Sequence, residues 1–143
     1  MKTFTLKAKD IKKNWYLIDA KDQVLGRLSS KISQLIRGKG KPEFTPHLDM
    51  GDFVIVVNAD KIRVSGNKEK DKVYWHHTGY PGGQKETNLN DLRTKYPDRI
   101  ITNAVKGMLP HNRLGRKILK NLKVYPSEEH PHLAQQPIKI ELN

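Results

Sequence analysis

The segment 106–123, with the sequence KGMLPHNRLGRKILKNLK, carries the side chains best suited to bind an anion. It contains six Lys or Arg residues and no Asp or Glu. A solvated helix usually mixes both signs of charge, so a helix with one sign after a Gly- and Pro-containing turn indicates contact with phosphates. Arg113 and Arg116 can each form paired hydrogen bonds to a phosphate, whereas the lysines act as point charges. A plain solvated helix face is the alternative.

A second segment, Tyr74 to Gly83, has the sequence YWHHTGYPGG, in which aromatic rings and two histidines precede a Gly- and Pro-rich turn. Exposed rings beside flexible backbone are typical of proteins that stack on unpaired RNA bases. The sequence equally allows Trp75 and one histidine to pack within a hairpin. Both interpretations therefore stay open for this segment.

A third basic segment, Arg37 to Lys41, has the sequence RGKGK. Its glycines let the backbone come close to a ligand, and its three cations supply positive charge. We expect phosphate contact here, although an ordinary mobile loop would have the same composition.

Metal binding and catalysis are poorly supported by the remaining polar residues. His76 and His77 are adjacent, so on a strand they would point to opposite faces and could not share one ion, even with His130 and His132 elsewhere in the chain. The chain has no Cys. The four candidate carboxylates, Asp19, Asp49, Asp52 and Asp60, form no recognisable spacing with Ser, His or Lys, and no nucleotide-binding motif is present. We expect no catalytic residue, no metal, no cofactor and no small-molecule substrate.

The overall charge agrees with a polyanionic partner. The 143 residues include 27 Lys or Arg against 15 Asp or Glu, giving a formal charge of +12 and a pI near 9.9. No apolar run is long enough to span a bilayer, and the first 14 residues lack the features of a secretory signal. A chain without Cys also fits a reducing cytosol. We therefore expect a cytoplasmic protein with a nucleic acid as its partner and no membrane association.

The elements that must position these residues follow from apolar periodicity. Trp15 to Ala20 and Asp52 to Asn58 have the composition of buried strands, and the second is predicted to be central because it is almost continuously apolar. Between them, an apolar stripe from Leu25 to Ile36 predicts a helix that ends at Gly38. The composition of Ile62 to Ser65 favours a further short strand. A strand, a helix and a strand in this order predict a right-handed parallel crossover and an α/β domain with a small sheet between helices.

The second half of the chain has helical spacing interrupted by prolines. Pro97 should separate two helices, and a further helix with apolar positions from Leu114 to Leu122 should follow Pro110. These patterns divide the chain into a basic N-terminal arm over 1–14, an α/β core over 15–125 and an irregular C-terminal extension over 126–143.

Several blocks together resemble one known family. WYLIDA, LGRLSSKIS, GDFVIVVNADKIRVSGNK, HHTGYPGG and AVKGMLPHNRLGRKILKNLKVYPSEEHPHLAQQP occur in that order between Trp15 and Pro137. This arrangement is similar to that of bacterial-type large-subunit ribosomal protein thirteen. One departure is His111, where the family pattern suggests Lys. A neutral His there removes one fixed charge, so the expected phosphate contact is weaker at that position than at its neighbours.

The resemblance implies a three-layer α/β/α domain around a small, mainly parallel sheet with basic N- and C-terminal extensions. It implies a non-catalytic constituent of the large ribosomal subunit that acts early in assembly and contacts large-subunit ribosomal RNA and neighbouring ribosomal proteins. The residues expected to bind RNA are Lys2, Arg27, Arg37, Lys39, Lys41, Lys68, His76, His77, Tyr80, Lys106, His111, Asn112, Arg113, Arg116, Lys117, Lys120 and Lys123. An RNA-modifying enzyme and a free regulatory RNA- or DNA-binding module are the alternatives.

Overall fold

A parallel sheet lies at the centre of the computed structural model, which describes residues 3–142. The sheet contains four strands within those residues, in the order β5-β2-β1-β6. The strands and helices are β1 (Trp15–Asp19), α1 (Leu25–Arg37), β2 (Phe53–Val57), α2 (Lys68–Asp71), β3 (Val73–His77), β4 (Gln84–Asn88), α3 (Leu89–Lys95), α4 (Pro97–Met108), α5 (Arg113–Leu119), β5 (Leu122–Val124) and β6 (Ile138–Ile140). The predicted α/β class with a small, mainly parallel sheet is confirmed.

The inner strands are those with the most continuous apolar sequence. β2 pairs in parallel with β1 from Trp15↔Phe53 to Asp19↔Val57, and with β5 on its other side. Val54 and Val56 are fully buried and pack, with Ile18, in the same core as the helices. Because successive side chains on a strand alternate between faces, Phe53 and Ile55 point to the opposite side of the sheet. The predicted central position of the second strand is confirmed.

Helix α1 follows the predicted apolar stripe and stops where the sequence indicated. Leu28, Ile32 and Ile36 are buried, and Gly38 is the C-terminal cap with φ +80°. Its backbone N–H donates to the carbonyl oxygens of the last turn, a geometry that glycine adopts at little cost. The chain then returns so closely that a Cβ on Gly51 would lie 1.5 Å from the Ile36 carbonyl oxygen. This close contact lies just before β2 and packs the start of that strand against the end of α1.

Helices α3 and α4 are separated at Pro97, as predicted, and Pro97 occupies the first turn of α4. There its missing N–H costs no intrahelical hydrogen bond. Ile100, Ile101 and Val105 of α4 are fully buried against the core that α1 also joins.

Two predicted elements are wrong, the first in its type and the second in its extent. Ile62 to Ser65 forms no strand and makes only a single bridge, Val24↔Arg63, before the chain turns at Gly66 with φ +62°. The helix expected to reach Leu122 ends at Leu119. Beyond that point, the backbone at Asn121 and Leu122 pairs in parallel with β2. The basic segment 106–123 is therefore the end of α4, a turn, α5 and β5.

The two terminal segments pack against the core. Ile138–Ile140, in the part expected to be irregular, forms β6 and pairs with β1. In the N-terminal arm, Leu6 is buried and the Lys13 ammonium lies 2.8 Å from the Asp49 carboxylate. Lys2, one of the predicted RNA-binding residues, lies outside the described residues.

Candidate nucleic-acid interface

The turn between α4 and α5 is held by two close contacts. The Asn112 side-chain oxygen accepts a hydrogen bond from the Gly115 N–H at 2.8 Å and caps α5. Gly115 is buried, and a Cβ at this position would lie 1.8 Å from the Pro110 carbonyl oxygen. The turn therefore rests directly on the first residues of α5, and the two helix ends are held in a defined arrangement. The Asn112 side-chain oxygen thus has a capping role, while RNA binding by this exposed residue stays a prediction.

The cations of this region are exposed to solvent. Lys106, Arg113, Arg116, Lys117 and Lys120 are all exposed, and Lys123, on β5, is half-buried. Among residues 3–142, only Lys13, Lys41 and Arg93 form ion pairs with carboxylates. Carboxylates within residues 3–142 therefore do not pair with the cations of the segment 106–123.

A groove of about 230 Å³ lies between the end of α4 and α5. Its polar residues are Lys106, His111 and Arg116. The remaining lining residues are Leu109, Pro110, Gly115 and Leu119. The groove thus brings three predicted RNA-binding residues from two helices and a turn to the edges of one apolar surface.

Lys41 has a structural role that its sequence context did not reveal. Its ammonium group donates to the Met50 carbonyl oxygen at 2.8 Å and the Lys12 carbonyl oxygen at 2.9 Å, and lies 2.9 Å from the buried Asp52 carboxylate. These three acceptors use the donors of the ammonium group. Phosphate binding by Lys41 stays a prediction, and the charge of its ammonium group is already compensated inside the protein.

The other isolated candidates differ in accessibility. Lys39 is exposed, whereas Arg37 is half-buried, with its guanidinium carbon 5.9 Å from the centre of the Phe44 ring. Arg27 on α1 and Lys68 on α2 are exposed, and neither lines the groove. RNA binding by these four residues remains a prediction.

The histidine-containing segment forms an antiparallel hairpin of β3 and β4. Tyr74 is the ring that packs against the core, and burial raises the pKa of its hydroxyl group. Trp75 is 70% exposed and Tyr80 is 76% exposed, so the alternative in which Trp75 packs within the hairpin is wrong. His77 accepts a hydrogen bond from the Gly79 N–H through Nδ1 at 2.9 Å.

His76 is also exposed and, with its side chain on the other face of the strand, does not join His77. Within residues 3–142, no group of three or more His, Asp or Glu side chains could hold a metal ion. The histidines of the hairpin remain predicted RNA-binding residues only.

The carboxylates considered as catalytic candidates are mostly engaged in structural contacts. Asp49 accepts a hydrogen bond from the Asn121 amide and pairs with Lys13, while Asp52 accepts from the Asn14 N–H. Burial alone would raise the pKa of Asp19, but hydrogen bonds from the Lys21 backbone and the Asn58 side chain outweigh it and lower that pKa. The contacts of Asp19 favour its charged form, and the contacts of all three carboxylates indicate structural roles.

An aromatic and histidine cluster on the second face of the sheet was not predicted. Trp15 stacks on Phe53 with 4.4 Å between ring centres, and His132 lies 5.3 Å from Trp15. The Tyr125 hydroxyl and His132 Nε2 are 2.6 Å apart. Burial lowers the pKa of His132, and the charges of His130 and Lys123 lower it further. Only the folding of the chain brings these rings together, because they are far apart in sequence.

Within residues 3–142, no helix combines the length and the apolar character needed to cross a bilayer.

Comparison with known proteins gives a consistent family. The family model described as "Ribosomal protein L13" matches residues 13–131. Proteins named "Large ribosomal subunit protein uL13" from Hahella chejuensis and Halorhodospira halophila are 56% and 54% identical over 142 residues, covering 99% of this chain and all of each relative. The protein of the same name from Symbiobacterium thermophilum is 52% identical over 141 residues, covering 99% of both chains.

Proposed function

The chain belongs to the ribosomal protein L13 family, and on that premise we propose that it is a structural constituent of the large ribosomal subunit that binds ribosomal RNA. Its relatives are named as large-subunit proteins. The chain acts in the cytoplasm, beside neighbouring ribosomal proteins, and supports early assembly of the subunit. It has no catalytic role.

The observation that carries RNA binding is the set of exposed cations around α5. Five of the six Lys or Arg residues in the segment 106–123 are exposed, and none of the six forms an ion pair within residues 3–142. An isolated protein gains nothing from concentrating like charges, because they repel one another. Phosphates of RNA supply the missing counter-charge, and Arg113 and Arg116 can bind them in a bidentate manner.

Release of counterions from RNA provides the driving force. If roughly eight phosphates were neutralised, log affinity would fall against log salt concentration with a slope of about −6 to −7, at roughly 0.7 to 0.9 per phosphate. Such contacts position the protein on RNA without reading its sequence, so specificity comes from the shape of the folded RNA.

The first test compares two variants with equal changes in net charge. The first combines Arg113→Glu, Arg116→Glu and Lys117→Glu on α5. The control combines Lys21→Glu, Lys61→Glu and Lys95→Glu, three exposed lysines outside the predicted site. RNA binding is measured by filter retention at several salt concentrations, and folding is checked by circular dichroism.

We expect the α5 variant to lose affinity and to have a salt slope shallower by about 2 to 3, because about one phosphate contact is lost per side chain. The control should keep most of the slope. Equal losses in both folded variants would mean that only net charge matters, which contradicts a binding surface at α5.

A second measurement tests the ribosomal role in cells. Tagged chain is followed by sucrose-gradient sedimentation, with stoichiometry determined by mass spectrometry. A structural constituent should remain with the large subunit after a high-salt wash, and the α5 variant should accumulate in the free pool or in incomplete subunits. A wild-type chain found only in the free pool would favour a regulatory RNA-binding module instead.

A further inference from the structure

The groove between α4 and α5 has a composition that phosphate binding alone does not explain. Leu109, which is almost fully buried, lies at the groove together with Pro110 and the half-buried Leu119. Contacts to a continuous phosphate backbone need only exposed cations on a convex helix. An apolar concave surface beside those cations is suited to a ligand with a flat apolar part and an anionic part.

The geometry points to a site for a single unstacked nucleotide of the RNA, with its base against the apolar surface and its phosphate at the cations. This inference rests on the proposed function and assigns a ligand to one part of the same surface. The base would lie on Leu109, Pro110 and Leu119, while Lys106 and Arg116 would bind the adjacent phosphate.

The cations that line the groove come from two different elements of the chain. Lys106 lies in the last turns of α4, and Arg116 lies in α5, so they belong to different helices that meet at the groove. His111, in the turn between them, adds an exposed ring that can stack on a base or donate a hydrogen bond. This arrangement provides anion contacts at the rim and leaves the apolar surface free for the base.

Contacts within the protein form the groove without any ligand. The Asn112 cap and the contact of the Pro110 carbonyl with Gly115 hold the turn against α5. A preformed site binds with less loss of conformational entropy than a loop that must become ordered. A base displaced from a folded RNA can therefore be accepted without rearrangement of the protein.

The charge of the lining favours a nucleotide over an acidic or apolar peptide. An apolar side chain of a peptide would fit against Leu109, Pro110 and Leu119. The ligand must also carry negative charge, because the surrounding cations are Lys106, Arg116 and the neighbouring Lys117 and Lys120. In RNA, every base is carried by a ribose that has a phosphate on each side, so one ligand supplies both features close together.

The test uses the full chain with selectively labelled leucine methyl groups and three probes, adenosine 5′-monophosphate, uridine 5′-monophosphate and ribose 5-phosphate. We expect both nucleotides to shift the methyl resonances of Leu109 and Leu119 with saturation. Ribose 5-phosphate should bind at least about tenfold more weakly, since it has no base to bury. Equal affinities for all three probes, or no methyl shift, would overturn the nucleotide site.

A pair of matched variants carries the test to RNA itself. Leu119→Asn alters the groove, and Leu114→Asn changes another half-buried leucine of α5 that packs on the core but does not line the groove. Only Leu119→Asn should weaken nucleotide binding, by at least about tenfold, and reduce RNA affinity without changing the salt slope. If Leu119→Asn does not fold, the three-probe titration of the unaltered chain decides the question.

Failure of this inference can be told apart from failure of the proposed function. Equal RNA affinities for Leu119→Asn and Leu114→Asn, with a loss for the α5 charge-reversal variant, would remove the nucleotide site and keep RNA binding. Unchanged RNA binding by the charge-reversal variant would contradict the proposed surface itself.

Discussion

At the scale of single residues, basic side chains close in sequence have different functions. Lys39 and Lys41 are two residues apart in the RGKGK segment, yet Lys39 is exposed and Lys41 compensates the buried Asp52 carboxylate. A charge that has left water must find partners inside the protein, whereas an exposed charge stays available for a ligand. Composition alone cannot separate these two cases.

Replacing each lysine by alanine should separate the two roles. Lys41→Ala leaves Asp52 buried without its cation and should lower the free energy of unfolding by about 2 to 3 kcal/mol, somewhat below the cost for a fully buried pair because Lys41 is partly exposed. Lys39→Ala should leave stability unchanged and slightly weaken RNA binding. Urea unfolding and filter binding measure both effects, and an equal stability for the two variants would argue against the structural role of Lys41.

At the scale of elements, the α4–turn–α5 unit depends on a glycine that permits close approach. Gly107 and Gly115 both lie in helices, but a Cβ on Gly107 would meet no atom within 4 Å, whereas one on Gly115 would overlap the Pro110 carbonyl oxygen. Glycine therefore lowers helix stability at position 107 without any packing benefit, whereas at position 115 the close contact requires it. The arrangement of the groove follows from this contact.

The matched substitutions by alanine test that dependence. Gly107→Ala should raise the free energy of unfolding by about 0.5 to 1 kcal/mol, since alanine loses less backbone entropy in a helix. Gly115→Ala should lower it by about 2 to 3 kcal/mol because the turn must move away from α5, and RNA affinity should fall as the cations are displaced. Thermal or urea unfolding measures both changes, and a stable Gly115→Ala variant with normal RNA affinity would show that the close turn is not needed.

At the scale of the whole molecule, the sheet is completed from a distant part of the chain. β1, near the N-terminus, has β2 on one side and β6, the last strand, on the other. Without β6, the hydrogen-bonding groups of β1 that now pair with it would lie at an unpaired sheet edge. The C-terminal segment thus contributes to the core domain and to its stability.

Ending the chain at Pro137 should show how much the last strand contributes. We expect a lower melting temperature and faster hydrogen exchange at β1 amides that face β6, while the core between β2 and the helices keeps its protection. The substitution Ile138→Ser serves as a control, because that side chain is 57% exposed and its backbone pairing is retained. Unchanged exchange in the truncated chain would mean that the β1–β6 pairing adds little to stability.

Local sequence pattern was sufficient to predict much of the fold and to predict which cations are exposed. The apolar period of α1, its end at Gly38 and the continuous apolar run of β2 are short-range features, and they determine backbone structure directly. The absence of acids between Lys106 and Lys123 likewise indicates exposed cations, because a charge without a nearby partner is costly to bury. These properties belong to neighbouring residues, so the sequence by itself was enough to predict them.

Only the tertiary structure decided which side chains meet over long separations. The Lys41–Asp52 pair, the Trp15–His132 contact, the strand β6 and the end of α5 at Leu119 all depend on partners elsewhere in the chain. Pairing with β2 converts Leu122 from an expected helical position to a strand, because a sheet edge offers hydrogen bonds that outweigh a weak local preference. The groove has the same origin, since its cations and apolar residues come together only when α4, the turn and α5 pack.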